Sequence, residues 1–138
     1  MVTTNNILKK HNLRVTAFRS EVLSLFTKAG KALSANELES QLSDADRITL
    51  YRTIKSFEEK GLIHKAIDGT NTQKYALCEA ECSEEHHHDE HIHFHCEKCE
   101  NTFCLDHIYV PHVQLPYGFT VRQTNMVMSG VCEKCFKD

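Results

Sequence analysis

Two short cysteine pairs constrain this chain most: Cys96-Glu97-Lys98-Cys99 and Cys132-Glu133-Lys134-Cys135. A C-x-x-C knuckle turns the backbone so that two thiolates converge on one ion. Two knuckles make a tetrahedral S₄ set, which suits Zn²⁺ and leaves no open coordination position, so the expected role is structural. The pairs stand further apart than in a zinc ribbon, so a folded segment must lie between them. Residues 1–10 carry no apolar h-region, so no secretory signal is expected. Without one, cysteines at this spacing read as metal ligands before disulfides.

Charge divides the chain in the same way. Residues 1–75 hold 12 Lys+Arg and 8 Asp+Glu, a net +4, whereas residues 76–138 hold 4 and 11, a net −7. All seven cysteines lie at or after Cys78, and eight of the ten histidines at or after His86. A basic, cysteine-free half followed by an acidic half rich in Cys and His points to a polyanion partner for the first and metal for the second. With 41% hydrophobic and 25% charged residues the composition is globular. No apolar run approaches the ~20 residues of a membrane span.

The first half has the order helix, helix, helix, hairpin. A short helix over 5–11 precedes a stronger one capped by Thr16 and stopped by Gly30, with Phe18, Val22, Leu25, Phe26 and Ala29 at helical spacing. Ser34 and Glu37 form a capping box. The turn 43–46 leads into a third helix over 47–60, with Asp46 as N-cap and Leu50, Ile54 and Phe57 as its buried stripe. Residues 62–67 and 70–77 read as strands joined at Asp68-Gly69. This is the order of a winged helix-turn-helix, whose third helix enters a major groove. On that helix Arg52 and Lys55 are placed to neutralise phosphates, and Thr49 and Tyr51 to touch base edges or sugar.

In the second half, His91-Ile92-His93-Phe94-His95 predicts a strand with three imidazoles on one face. Residues 102–105 and 124–131 alternate and read as further strands. Pro111 and Pro116 confine any helix between them to a short one. His86, His87 and His88 sit in a polar loop.

Taken together, these residues resemble the ferric-uptake-regulator (Fur) family of bacterial metal-responsive repressors. The resemblance rests on Leu13-Arg14-Val15-Thr16 with Arg19, on Thr49-Leu50-Tyr51-Arg52-Thr53-Ile54 and on Gly61-Leu62-Ile63. It rests also on His91-x-His93-x-x-Cys96-x-x-Cys99 and the final Cys132-x-x-Cys135. It implies an α+β chain with a winged helix-turn-helix DNA-binding domain over 1–77, a hinge and His-rich loop over 78–90, and a small α/β metal-binding dimerisation domain over 91–138. It further implies a cytoplasmic homodimer that binds a palindromic double-stranded DNA operator. By match to the family, Cys96, Cys99, Cys132 and Cys135 hold structural zinc, Tyr51 and Arg52 contact DNA, and His91 and His93 are ligands of a regulatory site. Arg14, Thr16, Arg19, Thr49 and Lys55 complete the expected DNA contacts.

The departures bear on which metal is sensed. The early histidine of many iron and peroxide sensors is absent at Lys31-Ala32-Leu33. Their acidic ligand five residues past the C-x-x-C falls at Cys104, and the glycine usual after it is Glu100. The zinc-sensing (Zur) branch takes one ligand from the wing and a hinge cysteine, positions matched by His64 and Cys78. The expected regulatory site is therefore His64, Cys78, His91 and His93, an N₃S set that suits Zn²⁺ better than Fe²⁺. Cys82, His95 and Cys104 are the substitutes. Cys104 also reads as a buried small hydrophobe in its strand.

The expected function is a zinc-responsive repressor, with a second divalent ion besides the structural one. An iron- or peroxide-responsive regulator, using Fe²⁺ or Mn²⁺ with Glu79, Glu81 or Asp89, is the alternative. A zinc buffer or metallochaperone comes next, but it needs no basic helix. An enzyme is not expected. His88-Asp89-Glu90 matches H-x-E, yet the proline and intervening helix of a deaminase site are missing, and nothing points to a membrane or small organic substrate.

Overall fold

The computed structural model describes residues 3–42, 46–77, 92–105, 108, 110–122 and 124–136. Among them the chain forms five helices and six strands in two three-stranded sheets. The turn at 43–45 and the hinge with its histidine run, 78–91, lie outside the described residues.

Helix α1 (Thr4–Lys10) is followed by α2 (Ala17–Ala29), which begins where Thr16 Oγ1 accepts from Arg19 N and ends at Gly30 in the left-handed region, φ 64°. After β1 (Leu33–Ser34), α3 (Ala35–Gln41) opens on the full Ser34–Glu37 capping box. Helix α4 (Arg47–Glu59) is capped by Asp46 and buries Leu50, Thr53, Ile54 and Phe57. That stripe packs with Leu8, Leu13, Val22, Leu23, Phe26, Leu33, Leu38 and Ile63 into one apolar core. Burying each large side chain of this kind stabilises the fold by roughly 1.5–3 kcal/mol.

The wing is β2 (Ile63–Ala66) and β3 (Lys74–Leu77), antiparallel, with Ala66 opposite Lys74. Asp68-Gly69 is therefore not a two-residue hairpin turn. Residues 67–73 form a longer loop, in which Asp68 Oδ1 accepts from Thr70 N at 2.9 Å and from Thr70 Oγ1 at 2.6 Å. The local Asx bonds outcompete the tight turn. β1, too short to show a period, pairs with β3 to give the order β1-β3-β2.

Strand alternation gives the wing two faces. Ile63 belongs to the helical core, with Tyr75 and Leu77 packed against it. On the opposite face His64 lies across from Ala76, and Ala66 across from Lys74. That face meets the second sheet, made of β4 (Ile92–Cys96), β5 (Thr102–Leu105) and β6 (Met126–Gly130) in the order β5-β4-β6. β4 and β5 are antiparallel around the first knuckle, whereas β6 runs parallel to β4. Residues 110–122 carry no helix. A short helix, α5 (Glu133–Phe136), carries Cys135.

The turn between β4 and β5 places Glu100 in the left-handed region, φ 63°. A side chain there meets steric resistance that glycine avoids, which accounts physically for a glycine preference at this position. Glu100→Gly is expected to stabilise the zinc-loaded protein by about 1 kcal/mol, read as a higher urea midpoint at unchanged slope.

Candidate functional site

The register of β4 and β5 builds a polar face. His93 lies opposite Cys104, and His95 opposite Thr102, so these four side chains form two adjacent rows on one face of the ladder. The wing supplies the facing partners. Three small residues, Ala32, Ala66 and Ala76, pack together with Cys104 against them and let the layers approach closely.

In the first row, His64 Nε2 is 3.3 Å from His93 Nε2 and 3.5 Å from Cys104 Sγ. Both imidazoles are buried. Around tetrahedral zinc, with Zn–N about 2.0–2.1 Å and Zn–S about 2.3 Å, two nitrogens lie about 3.3–3.4 Å apart and a nitrogen and a sulfur about 3.5–3.6 Å. The two distances from His64 match such an ion, and all three ligand atoms lie within 4.8 Å of one another.

Among the described residues, the second row forms no metal-like cluster. Asp68, 3% exposed, accepts a 2.6 Å hydrogen bond at Oδ2 from Thr102 Oγ1. Lys74 Nζ stands 3.4 Å from the same oxygen, and donates to Glu100 O at 2.9 Å and to Thr102 Oγ1 at 3.2 Å. His95 Nδ1 is 3.2 Å from Thr102 Oγ1 and 3.7 Å from Asp68 Oδ2. Burial alone would push the Asp68 carboxyl upward. The bonds from Thr102 and Thr70 and the charge of Lys74 outweigh it and bring the pKa down to about 2. Asp68 is therefore ionised throughout the neutral range. Lys31 Nζ to Asn101 Oδ1 at 2.7 Å and Ala32 N to Thr102 O at 2.7 Å add further ties between the first half and β5.

The four knuckle cysteines also converge within 4.8 Å. Cys99 Sγ and Cys132 Sγ are 3.8 Å apart, and sulfurs on a tetrahedral zinc stand about 3.8 Å apart. The backbone N–H of Cys99 leads the effects that bring the Cys96 thiol down to about 6, against its desolvation and with help from the N–H groups of Cys132 and Lys98. Burial, and then hydrogen bonding with Cys132, Cys99 and Cys96, pushes Cys135 up to about 12. Four sulfurs this close cannot all ionise beside one another, and a divalent cation removes that conflict. The donor chemistry and spacing fit structural zinc.

Between the start of α2 and α4, Arg14, Thr16, Phe18, Arg19, Thr49, Arg52, Thr53 and Ser56 line a cleft of about 340 Å³. It gathers five of the seven expected DNA contacts. Tyr51 and Lys55 are exposed on α4 beside it, as is Ile48. The Thr16 hydroxyl caps α2, and Thr49 Oγ1 donates to the α4 cap at Asp46 Oδ2, 2.8 Å away.

The profile of the ferric uptake regulator family matches residues 10–129. The chain belongs to the ferric uptake regulator family. It is 30% identical over 136 residues to the ferric uptake regulation protein of Staphylococcus epidermidis, covering 94% of this chain and 91% of that one. It is 28% identical over 135 residues to that of Staphylococcus aureus, covering 94% and 93%. Its fold is shared with a zinc uptake regulator complexed with zinc and DNA, at TM-score 0.65 and 23% identity over 99% of this chain and 97% of that one. As a Fur-family protein it is a metal-dependent transcription regulator and not an enzyme.

Against the expected regulatory set, the structure brings His64 and His93 together. Cys78 and His91 lie outside the described residues, as do Cys82 and the 86–88 run. Cys104, one of the expected substitutes, stands beside the two imidazoles, and it also packs against Ala32, Ala66 and Ala76 as a small strand hydrophobe would. His95 does not join them: the two-residue step along β4 carries it to Asp68 and Thr102. The latter pair and Lys74 were missed by sequence reasoning. Their only signal was a turn-like Asp-Gly and a threonine two residues before a cysteine.

Cys132→Ser is expected to lower the zinc content by one ion per chain, measured by elemental analysis of purified protein. Loss of the metal's folding free energy should also shift thermal unfolding of the second sheet downward.

Proposed function

We propose that this Fur-family regulator is a zinc-responsive repressor that binds a palindromic operator as a homodimer in the bacterial cytoplasm. The observation that carries the reading is the convergence of His64, His93 and Cys104 at tetrahedral zinc spacing. Two imidazoles and a thiolate, with cysteine where iron sensors place a carboxylate, form a borderline-soft set that favours Zn²⁺ over the oxygen-preferring Fe²⁺ and Mn²⁺. In this reading the fourth position goes to the hinge, from Cys78 or His91.

His64 belongs to the wing, whereas His93 and Cys104 belong to the second sheet. A bound divalent cation supplies a Lewis-acidic centre to which all three donate. With their lone pairs directed to one point, the wing and the second sheet are held in one relative placement, and with them the recognition helix α4. Metal and operator then raise each other's affinity by the same factor. On α4, Arg52 and Lys55 neutralise phosphates, Arg14 and Arg19 extend the basic surface, and Tyr51 reaches base edges or sugar. Pairing with a second copy is supported by large apolar side chains exposed in the second half of the chain, among them Tyr117, Phe119, Met128 and Phe136. In a palindromic complex this sets the spacing of two α4 helices to one operator turn.

Elemental analysis before and after mild chelation, paired with operator titrations, tests the reading. Two zinc ions per chain are expected, one lost to the chelator together with operator binding. His64→Ala and Cys104→Ser should each abolish the chelatable ion while keeping the Cys₄ ion. Retention of one zinc with operator binding restored by Fe²⁺ and not by Zn²⁺ would assign the chain to iron sensing. Arg52→Ala should weaken binding and reduce the slope of log K against log salt by about 1.

A further inference from the structure

Among the described residues the second row of the wing interface joins no metal-like cluster, yet it is built as closely as the first. Asp68, Lys74 and Thr102 are all buried. Thr102 donates to Asp68, accepts from Lys74, and so joins both wing residues to β5 by one hydroxyl. Lys74 also donates to Glu100 O, a carbonyl at the left-handed turn. A buried ion pair of this kind gives little net stability compared with an apolar contact, but loss of one partner is costly, because a buried charge is left exposed to low dielectric. Such a cluster therefore tolerates one spacing of the two layers and penalises others.

Its position gives that stiffness a use. Thr102 and Cys104 are two residues apart on β5, and their cross-strand partners His95 and His93 are two apart on β4. The rows are thus separated by about 7 Å along the strands. On the wing, Ala66 pairs with Lys74, and His64, two residues before Ala66 on the same face, pairs with Ala76. A shift of the wing that lengthened the Asp68–Thr102 bond would also carry His64 away from His93 and Cys104.

We propose that Asp68, Lys74 and Thr102 are positioning residues for the regulatory metal site: a metal-independent latch that holds His64 at ligand distance from His93 and Cys104 before the ion arrives. This rests on the reading of those three residues as the regulatory site. The latch reduces the reorganisation that ion binding requires, so it sets the zinc concentration at which the protein responds. The operator affinity of the fully loaded protein is left to the basic surface of α4.

Thr102→Val tests it, because valine keeps the shape and β-preference of the strand residue and removes only the hydroxyl. Competition titrations with a zinc chelator should show the regulatory ion bound at least tenfold more weakly. The zinc concentration for half-maximal operator binding should rise by the same factor, with operator affinity at saturating zinc and the Cys₄ zinc content unchanged. Thr102→Ser should restore the wild-type response. Asp68→Asn provides the same readout from the wing side should the valine variant not fold. Wild-type regulatory zinc affinity in Thr102→Val or Asp68→Asn overturns the latch alone. A chelatable ion that the His64→Ala variant retains with wild-type affinity overturns the site reading and the latch with it. Equal loss of affinity for zinc and for operator at saturating zinc overturns the latch too, since it marks general destabilisation.

Discussion

The structure depends on one polar face that two layers must bury between them. His93, Cys104, His95 and Thr102 stand in two rows on the β4–β5 ladder, and the wing lies over them. Buried polar groups need partners. One row finds Asp68 and Lys74, as a conventional ion-pair network. The other offers two imidazoles and a thiol, which converge at the spacing of ligands on one ion. The proposed metal-responsive interface rests on this asymmetry: one row is an ion-pair network within the chain, and the other gathers donors that also suit an ion.

The same ladder ties the two metal clusters together. β4 contributes His93 to one and Cys96 to the other, three residues apart and hence on opposite faces of the strand. The Cys₄ cluster fixes the end of β4 through the N–H groups of Cys99 and Cys132, both directed at Cys96 Sγ. A strand anchored in this way is a rigid platform, and rigidity is what makes the wing's position readable at His64. The division into a closed structural site and a site shared between layers is thus a division of mechanical labour.

Legibility in the sequence tracked how local the governing interaction was. The caps at Thr16, Ser34 and Asp46, the left-handed stop at Gly30 and the stripe of Leu50, Ile54 and Phe57 are short-range signals, and each stands where it was expected. The Cys₄ set was legible because a knuckle is itself local chemistry. The wing turn was misread for the opposite reason. Asp68-Gly69 has the composition of a two-residue hairpin, but Asp68 answers to Thr102, thirty-four residues away, and to Thr70. Alternation alone did not separate His95 from His93; the family resemblance favoured His93, and the antiparallel register sets His95 against Thr102 and His93 against Cys104.

Cys104 shows what such long-range context does to a residue's meaning. In isolation it is a small, half-buried side chain in an alternating strand, and packing accounts for it. Set opposite His93 and within 3.5 Å of His64 Nε2, it is the softest donor in the interface. A carboxylate there would offer hard oxygen to the ion, whereas the thiolate shifts the set toward zinc without changing the fold around it. Three alanines keep the layers close enough for that one donor to reach. In the proposed reading, metal preference thus turns on a single position on β5, and the latch two residues earlier on the same strand sets how readily that position is brought to bear.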